Sequence, residues 1–386
     1  MKIDKQNPRH WLLLLRQGIY SLLAMAFRVV APTPAKPRVI LYGHQLSGNL
    51  KALYEEWQSH FADDYDCYFL SLDPRYSEIL ELEGVQVLRC GRLRDMLKVG
   101  TSCAIISDHG LHAMSMLVQF TSIRFIDVWH GIPYKGFTPD SFRVQRRYDE
   151  VWVSSPLLKE VYTEQFGFSA AVVRDLGYAR VDKLFRGDPA SPSFRAQTGL
   201  AEDVRVILYA PTWKQEDAGR DLFPFGQSQD AFLEALNDVC AARNALLVVR
   251  SHLNATISAR ALDNVRYCSM QDFPDTESLL QETDVLICDW SSISFDYLAL
   301  DRPAIFLEVE PPFANGFSLG PEYRFGYIAA DMPALCAQLV EILDDPAAYT
   351  ANQAGTHKRI TEAAYGSNID GQAAWRQWQR LGELIG

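Results

Sequence analysis

The sequence predicts an α/β protein with two Rossmann-like parallel-sheet halves. Three observations predict it: short continuous apolar runs, helix-length amphipathic stretches between them, and one polar interruption that divides the series. Apolar runs bounded by such stretches are buried on both faces, as strands of a parallel sheet are. The first series runs Val39 to Tyr42, Tyr68 to Leu72, Val85 to Leu88, Ala104 to Ser107, Ile123 to Val128, Glu150 to Val153 and Ala171 to Leu176. Proline-containing Arg186 to Ala201 breaks the pattern. A second series then follows: Val204 to Ala210, Leu246 to Arg250, Val265 to Cys268, Val285 to Cys288 and Ala304 to Leu307. The expected organisation is an N-terminal helix and spacer (1–37), a first domain (38–186), a linker (187–203), a second domain (204–355) and C-terminal helices (356–386). Thr361 to Ile385 reads as helical, with Trp375 and Trp378 three apart for packing. Ligands of such sheets collect at the carboxyl ends of the strands, here expected between the halves.

A chain of 386 residues is long enough for two packed cores, and 48% hydrophobic with 22% charged residues is ordinary for a globular protein. A formal net charge of −11 argues against a nucleic-acid binder, which needs a basic surface. The seven cysteines form no C-x-x-C pair and mostly sit in apolar runs, so they read as buried, reduced thiols. No G-x-G-x-x-G, G-x-x-x-x-G-K-[ST] or G-x-S-x-G signature is present, which removes the obvious dehydrogenase, phosphate-loop and hydrolase readings. His109 and His112 lack a third ligand, so neither a metal nor any other cofactor is expected.

The N-terminal stretch from Trp11 to Ala31 is apolar but carries Arg16 and Arg28. Each arginine near mid-bilayer would cost about 2.5 to 3.5 kcal/mol, so an in-plane helix suits the segment better than a spanning one. On a helical wheel Lys5, Arg9 and Arg16 cluster, and Leu14, Leu15, Leu22, Leu23, Met25 and Val29 form a broad apolar face, with Leu12 and Phe27 intruding on the polar side. A helix packed on the body and a signal anchor are the two alternatives. Ala31 to Pro37 reads as a stiff spacer.

Polar residues directly after the apolar runs carry the functional expectation. His130, in Trp129-His130-Gly131-Ile132-Pro133-Tyr134-Lys135, can act as a base, and Lys135 can hold phosphate oxygens; a satisfied structural histidine is the plainer alternative. Arg250 and His252 alternate onto one side of a strand end, a cationic pair suited to a pyrophosphate. Asp289, Ser291 and Ser292 stand where a strand meets a helix and can bind an anion or a hydroxyl, or simply cap the helix. Thr212 and Lys214 follow Pro211 and face either donor or solvent. Asn49 and Lys51 lie in a flexible strand-to-helix segment of the first half.

These segments together resemble the CDP-glycerol glycerophosphotransferase family, teichoic-acid primases and polymerases of GT-B type fold. The marks are Gly48-Asn49-Leu50-Lys51-Ala52-Leu53-Tyr54, Trp129-His130-Gly131-Ile132-Pro133 with Lys135, and Gly177-Tyr178-Ala179-Arg180-Val181-Asp182. They continue as Tyr209-Ala210-Pro211-Thr212-Trp213-Lys214, Arg250-Ser251-His252, and Asp284 to Ser292 through Phe295-Asp296 to Arg302-Pro303, so the likeness spans Leu41 to Arg376. The resemblance implies His130 as catalytic base and His252, Arg250, Ser291 and Ser292 on the donor pyrophosphate. Asp275 and Thr276 are expected near cytosine and ribose, and Asn49, Lys51 and Arg180 at the substrate. It further implies a CDP-glycerol donor, with CDP-ribitol as alternative, and a lipid-linked or polysaccharide acceptor. The enzyme is expected on the cytoplasmic face of the membrane, held through residues 9–31, with a homo-oligomer left open. Ala179 stands where the family usually has proline and Trp290 where it has tyrosine. The polymerases' long extra N-terminal domain is absent, so a primase-like or capsule-type module is the nearer match. A nucleotide-sugar glycosyltransferase and an inactive membrane scaffold are the rival readings.

Overall fold

The computed structural model describes residues 8–110, 115–212, 223–251, 262–270 and 272–386. The chain forms two compact units: residues 1–130, 138–182 and 372–386, and residues 131–137 with 183–371.

The first unit holds seven strands: β1 (Arg38–Tyr42), β2 (Asp66–Ser71), β3 (Val87–Arg89), β4 (Ala104–Ser107), β5 (Arg124–Asp127), β6 (Glu150–Val153) and β7 (Val173–Asp175). Their order is β3-β2-β1-β4-β5-β6-β7, all parallel. Strand order reverses between β1 and β4, whose ends are level because Tyr42 pairs with Ser107. Such a reversal is where a doubly wound sheet leaves a crevice. One sheet face is covered by Leu50, Leu53, Trp57, Phe61 and Trp378, the other by Met96, Val99, Leu117 and Tyr148.

The second unit holds β8 (Arg205–Ala210), β9 (Ala245–Ser251), β10 (Val265–Ser269), β11 (Val285–Cys288), β12 (Ala304–Leu307) and β13 (Tyr327–Ala329). The order is β10-β9-β8-β11-β12-β13, again parallel throughout. Its reversal lies between β8 and β11, where Ala210 pairs with Cys288. Strand β13 falls outside the apolar runs of the sequence, because it is a three-residue edge strand with Ile328 42% exposed.

The last helix, Ala373–Ile385, belongs to the first unit. Asp182 accepts hydrogen bonds from the Ala373 and Ala374 amides at 2.9 and 2.8 Å, fixing its first turn. Trp378 is buried and donates from Nε1 to the Leu53 carbonyl at 2.9 Å. Trp375 does not pack: it is 44% exposed, because the buried seam follows Ala374, Trp378 and Leu381 at i, i+4 and i+7.

The helix Pro8–Val30 lies on the helices Leu93–Gly100 and Ser115–Phe120 of the first unit. Among its described side chains the buried ones are the small Ser21 and Ala24. Glycine at 100 allows the approach, since a Cβ there would stand 2.5 Å from the Ala24 carbonyl oxygen. Arg28 is a clamp, donating to the Gly100 and Ser102 carbonyls, each at 2.8 Å, and to the Ser122 hydroxyl at 2.9 Å. The outer face carries exposed Trp11, Leu12, Leu15, Ile19, Leu22 and Leu23. No described helix is long and apolar enough to cross a membrane. All seven cysteines are free thiols.

Candidate active site

In the first unit, three strand ends converge on His130. Gly43 follows β1 and lies so close to β4 that a Cβ would stand 2.4 Å from Asp108 Oδ1. Asp108 follows β4 and serves two imidazoles. Its carboxylate bonds His109 Nδ1 at 2.7 Å, and its backbone carbonyl lies 3.0 Å from His130 Nδ1. A carbonyl only accepts, so Nδ1 of His130 carries the proton and Nε2 keeps its lone pair. His109 stacks on His130 with centroids 4.5 Å apart and planes 6° from parallel, and the Trp129 ring lies 4.2 Å from the same imidazole.

The turn that delivers His130 is held by buried groups. Trp129 adopts a left-handed φ of 44°, and its amide donates to Asp127 Oδ1 at 2.8 Å. Asn49 is fully buried, donating to the Val128 and Trp129 carbonyls at 2.8 and 2.9 Å while its Oδ1 accepts from the Arg180 amide at 3.0 Å. Arg180 in turn donates to the His130 carbonyl at 2.7 Å. Three expected site residues, Asn49, His130 and Arg180, therefore meet, with Asn49 as the brace. Lys51 lies on the helix Gly48–Glu56 with its ammonium 3.8 Å from Glu55.

The electrostatics favour a neutral imidazole. Residue His130 is exposed on one side, while protein crowding on the others, then the neighbouring His109, push its pKa down to about 4. Desolvation pulls His109 down as well, but the hydrogen bond and charge of Asp108 outweigh it and raise the net value. Burial of Asp127, whose Oδ2 has no hydrogen-bond partner among the described residues, pushes its carboxyl up to about 7.

In the second unit the ends of β9, β8 and β11 lie side by side. Asp289 Oδ1 accepts from the Thr212 amide at 2.7 Å and from its hydroxyl, joining the β8 and β11 exits. Ser291 and Ser292 precede the helix Ile293–Leu298, and the Ser292 side chain makes no cap bond. Ser291 contributes its carbonyl, which accepts from the Ser294 hydroxyl at 2.9 Å. Both serine hydroxyls are thus left out of the capping that the plainer sequence reading allows. Arg250 is 8% exposed and its guanidinium turns inward, donating to the Phe273 carbonyl at 2.7 Å and the Thr276 hydroxyl at 3.1 Å. Asp275 caps the helix Thr276–Gln281 by accepting from the Ser278 amide at 2.8 Å. Lys135 pairs with Phe317 in an isolated bridge, and its carbonyl accepts from the Ser318 hydroxyl at 2.7 Å. Lys214, His252 and His112 lie outside the described residues.

The structure adds residues that the strand-exit rule passed over. Arg324 lies 4.4 Å over the Trp290 ring with its side chain 6% exposed, one Nη bonded to Glu308 at 2.8 Å and the other nitrogens without a hydrogen-bond partner among the described residues. It sits in a loop after Pro321–Tyr323, not at a strand's carboxyl end, so no periodicity marks it. Asp108 and Asp127 were equally silent, one acting through its backbone and the other by burial. No group of three His, Cys, Asp or Glu among the described residues is placed to hold a metal ion.

The model of the family CDP-Glycerol:Poly(glycerophosphate) glycerophosphotransferase matches residues 25–360. The chain belongs to that family. It is an alditol-phosphate transferase of teichoic-acid synthesis type. A teichoic acid poly(glycerol phosphate) polymerase of Bacillus spizizenii is 24% identical over 81% of this chain and 84% of its own length. A teichoic acid glycerol-phosphate transferase of Staphylococcus aureus is 24% identical over 95% of this chain and 97% of its own. Among solved structures, the wall teichoic acid polymerase TagF superposes with a TM-score of 0.75 at 19% identity, covering 97% of this chain and 94% of that one. The chain therefore has the GT-B type fold.

Proposed function

We propose that this enzyme transfers glycerol phosphate from CDP-glycerol to a hydroxyl of a membrane-linked acceptor, with His130 as the base. One observation carries the assignment of the base: the Asp108 carbonyl holds the proton on Nδ1 and leaves Nε2 open. The acceptor O–H gives its proton to Nε2 as its oxygen bonds the phosphorus bearing the glycerol. The bond from that phosphorus to the bridging oxygen breaks, and CMP leaves with the electron pair. A pKa of about 4 makes the free imidazole neutral but weakly basic. A bound diphosphate raises it, because nearby negative charge favours the imidazolium. Lys135, Arg250, His252, Ser291 and Ser292 are assigned to the pyrophosphate, where fixed cations and hydroxyls stabilise an in-line displacement. Thr212, Lys214 and Asp289 are assigned to the donor, Asp275 and Thr276 to its cytidine, and Asn49, Lys51 and Arg180 to the acceptor side.

The proposed location is the cytoplasmic face of the membrane, supported by the exposed apolar face of the helix Pro8–Val30. Arg16, with exposed Arg92 and Arg94 nearby in the same unit, supplies the cationic border expected of an interfacial helix. Purified enzyme is to be incubated with CDP-glycerol, CDP-ribitol or a UDP-sugar and a lipid-linked acceptor, with product mass as readout. Addition of one glycerol-phosphate mass and release of CMP is expected. Transfer only from CDP-ribitol would reassign the donor, and transfer from the UDP-sugar alone would overturn the reaction class. Flotation with anionic vesicles tests the location: Leu15→Asp with Leu22→Asp is expected to leave the protein in the soluble fraction.

A further inference from the structure

A half-open cavity of about 580 Å³ lies in the first unit, within the range of small-ligand sites. Two of its walls are the rings that touch His130: Trp129 at 4.2 Å and His109 at 4.5 Å between centroids. The opposite wall is the short 3-10 segment around Pro139–Phe142 and its continuation, which supply Asp140, Ser141, Arg143 and Gln145. Phe142 is fully buried among Tyr162, Phe166 and Phe168, so the neighbouring polar side chains rest on a rigid aromatic base. Gln145 is 7% exposed and its amide makes no hydrogen bond among the described residues. The Arg143 guanidinium is exposed to the cavity and forms no ion pair or hydrogen bond among the described residues.

This donor set has a definite chemistry. An unpaired guanidinium selects a phosphate or carboxylate and can hold it with two parallel bonds. A carboxylate, a hydroxyl and a buried primary amide beside it recognise alcohol groups rather than a second anion. An indole face accepts the C–H side of a polyol or sugar ring. We propose that this cavity is the acceptor subsite and that it takes an anionic polyol, a glycerol-phosphate or similar phosphodiester unit. Arg143 holds the phosphate, Gln145, Asp140 and Ser141 hold the hydroxyls, and the terminal hydroxyl is directed to His130. This rests on the reading of His130 as the base. It adds that the acceptor is recognised by a charge at a fixed distance from the reacting oxygen.

The test uses a soluble glycerol-phosphate oligomer and its unphosphorylated polyol counterpart. Without donor, calorimetric titration of the oligomer into wild type, Arg143→Ala and Arg143→Lys reads the cavity alone. Arg143→Ala is expected to bind at least tenfold more weakly, with Arg143→Lys between the two. With CDP-glycerol present, Arg143→Ala is expected to raise the oligomer KM at least tenfold, leaving the donor KM and the rate with the polyol within twofold. Equal oligomer binding by wild type and Arg143→Ala, or no binding by wild type, overturns the subsite. Failure of wild type to transfer from any CDP-alditol overturns the function while the binding arm still reads the cavity.

Discussion

The two sheets place an aspartate at the same topological point and use it differently. Asp108 follows β4 and Asp289 follows β11, each the first strand beyond a reversal of strand order. Asp289 gives one oxygen to both the amide and the hydroxyl of Thr212, closing the second unit's reversal with a hydrogen-bonded bridge. Asp108 makes no such bridge among the described residues: its carboxylate holds His109 while its carbonyl orients His130. One position thus consolidates the fold in one unit and orients a reactive ring in the other. What differs is the partner of the carboxylate, Thr212 on the neighbouring strand exit in one case and the adjacent His109 in the other.

The comparison can be broken at three places. The largest effect is expected from His130→Ala. A positioned general base contributes about 10²- to 10⁴-fold, so kcat should fall by about a thousandfold with the donor KM little changed and the thermal midpoint held. Unchanged kcat in a folded variant would remove His130 as the base.

Next comes Asp289→Ala, which leaves the Thr212 amide and hydroxyl unpaired. Stranding such groups costs about 1 to 3 kcal/mol, and each kcal/mol lowers the midpoint by about 2 to 4 °C in a unit of this size. Asp108→Asn keeps the carbonyl that orients His130 and one side-chain acceptor for His109, so its midpoint should fall less than that of Asp289→Ala. The reverse ranking in scanning calorimetry would dissolve the contrast.

The smallest effect concerns pH. A base works deprotonated, so kcat/KM should fall only as pH drops through the free enzyme's His130 pKa, about 4, and not near 6.5. His109→Ala removes both crowding and a neighbouring positive charge, so the acid limb should move upward by a fraction of a unit. A limb that stays in place would mean that the stacked ring does not tune its neighbour.

Much of the frame was legible in the chain. Buried parallel strands are written as contiguous apolar runs, which is why Val39 to Tyr42 and Val285 to Cys288 read so directly. Their exits mark His130, Asp289 and the paired serines. The edge strand β13 lacks that signature because half its surroundings are solvent. Trp375 follows spacing that a helix tolerates but its packing ignores. The cavity wall from Asp140 to Gln145 was hidden for another reason, since a loop's side chains gain meaning only once β5 and β6 bring it beside His109. Arg324 shows the same limit, as its value lies in a tryptophan 34 positions upstream.

The route of the chain also has a kinetic consequence. Residues 131–137 leave the first unit for the second, and residues 372–386 come back to the first. The Trp378 indole that bonds the Leu53 carbonyl is therefore made 325 positions after that residue of the helix Gly48–Glu56. During synthesis the helix Gly48–Glu56 can cover its sheet face early, but the patch of Leu53 and Phe61 that Trp378 packs on stays open until nearly the whole second unit has emerged. Contacts of such long sequence separation slow folding, so an unfinished chain exposes a template for aggregation, and shielding by a chaperone would matter most in that interval.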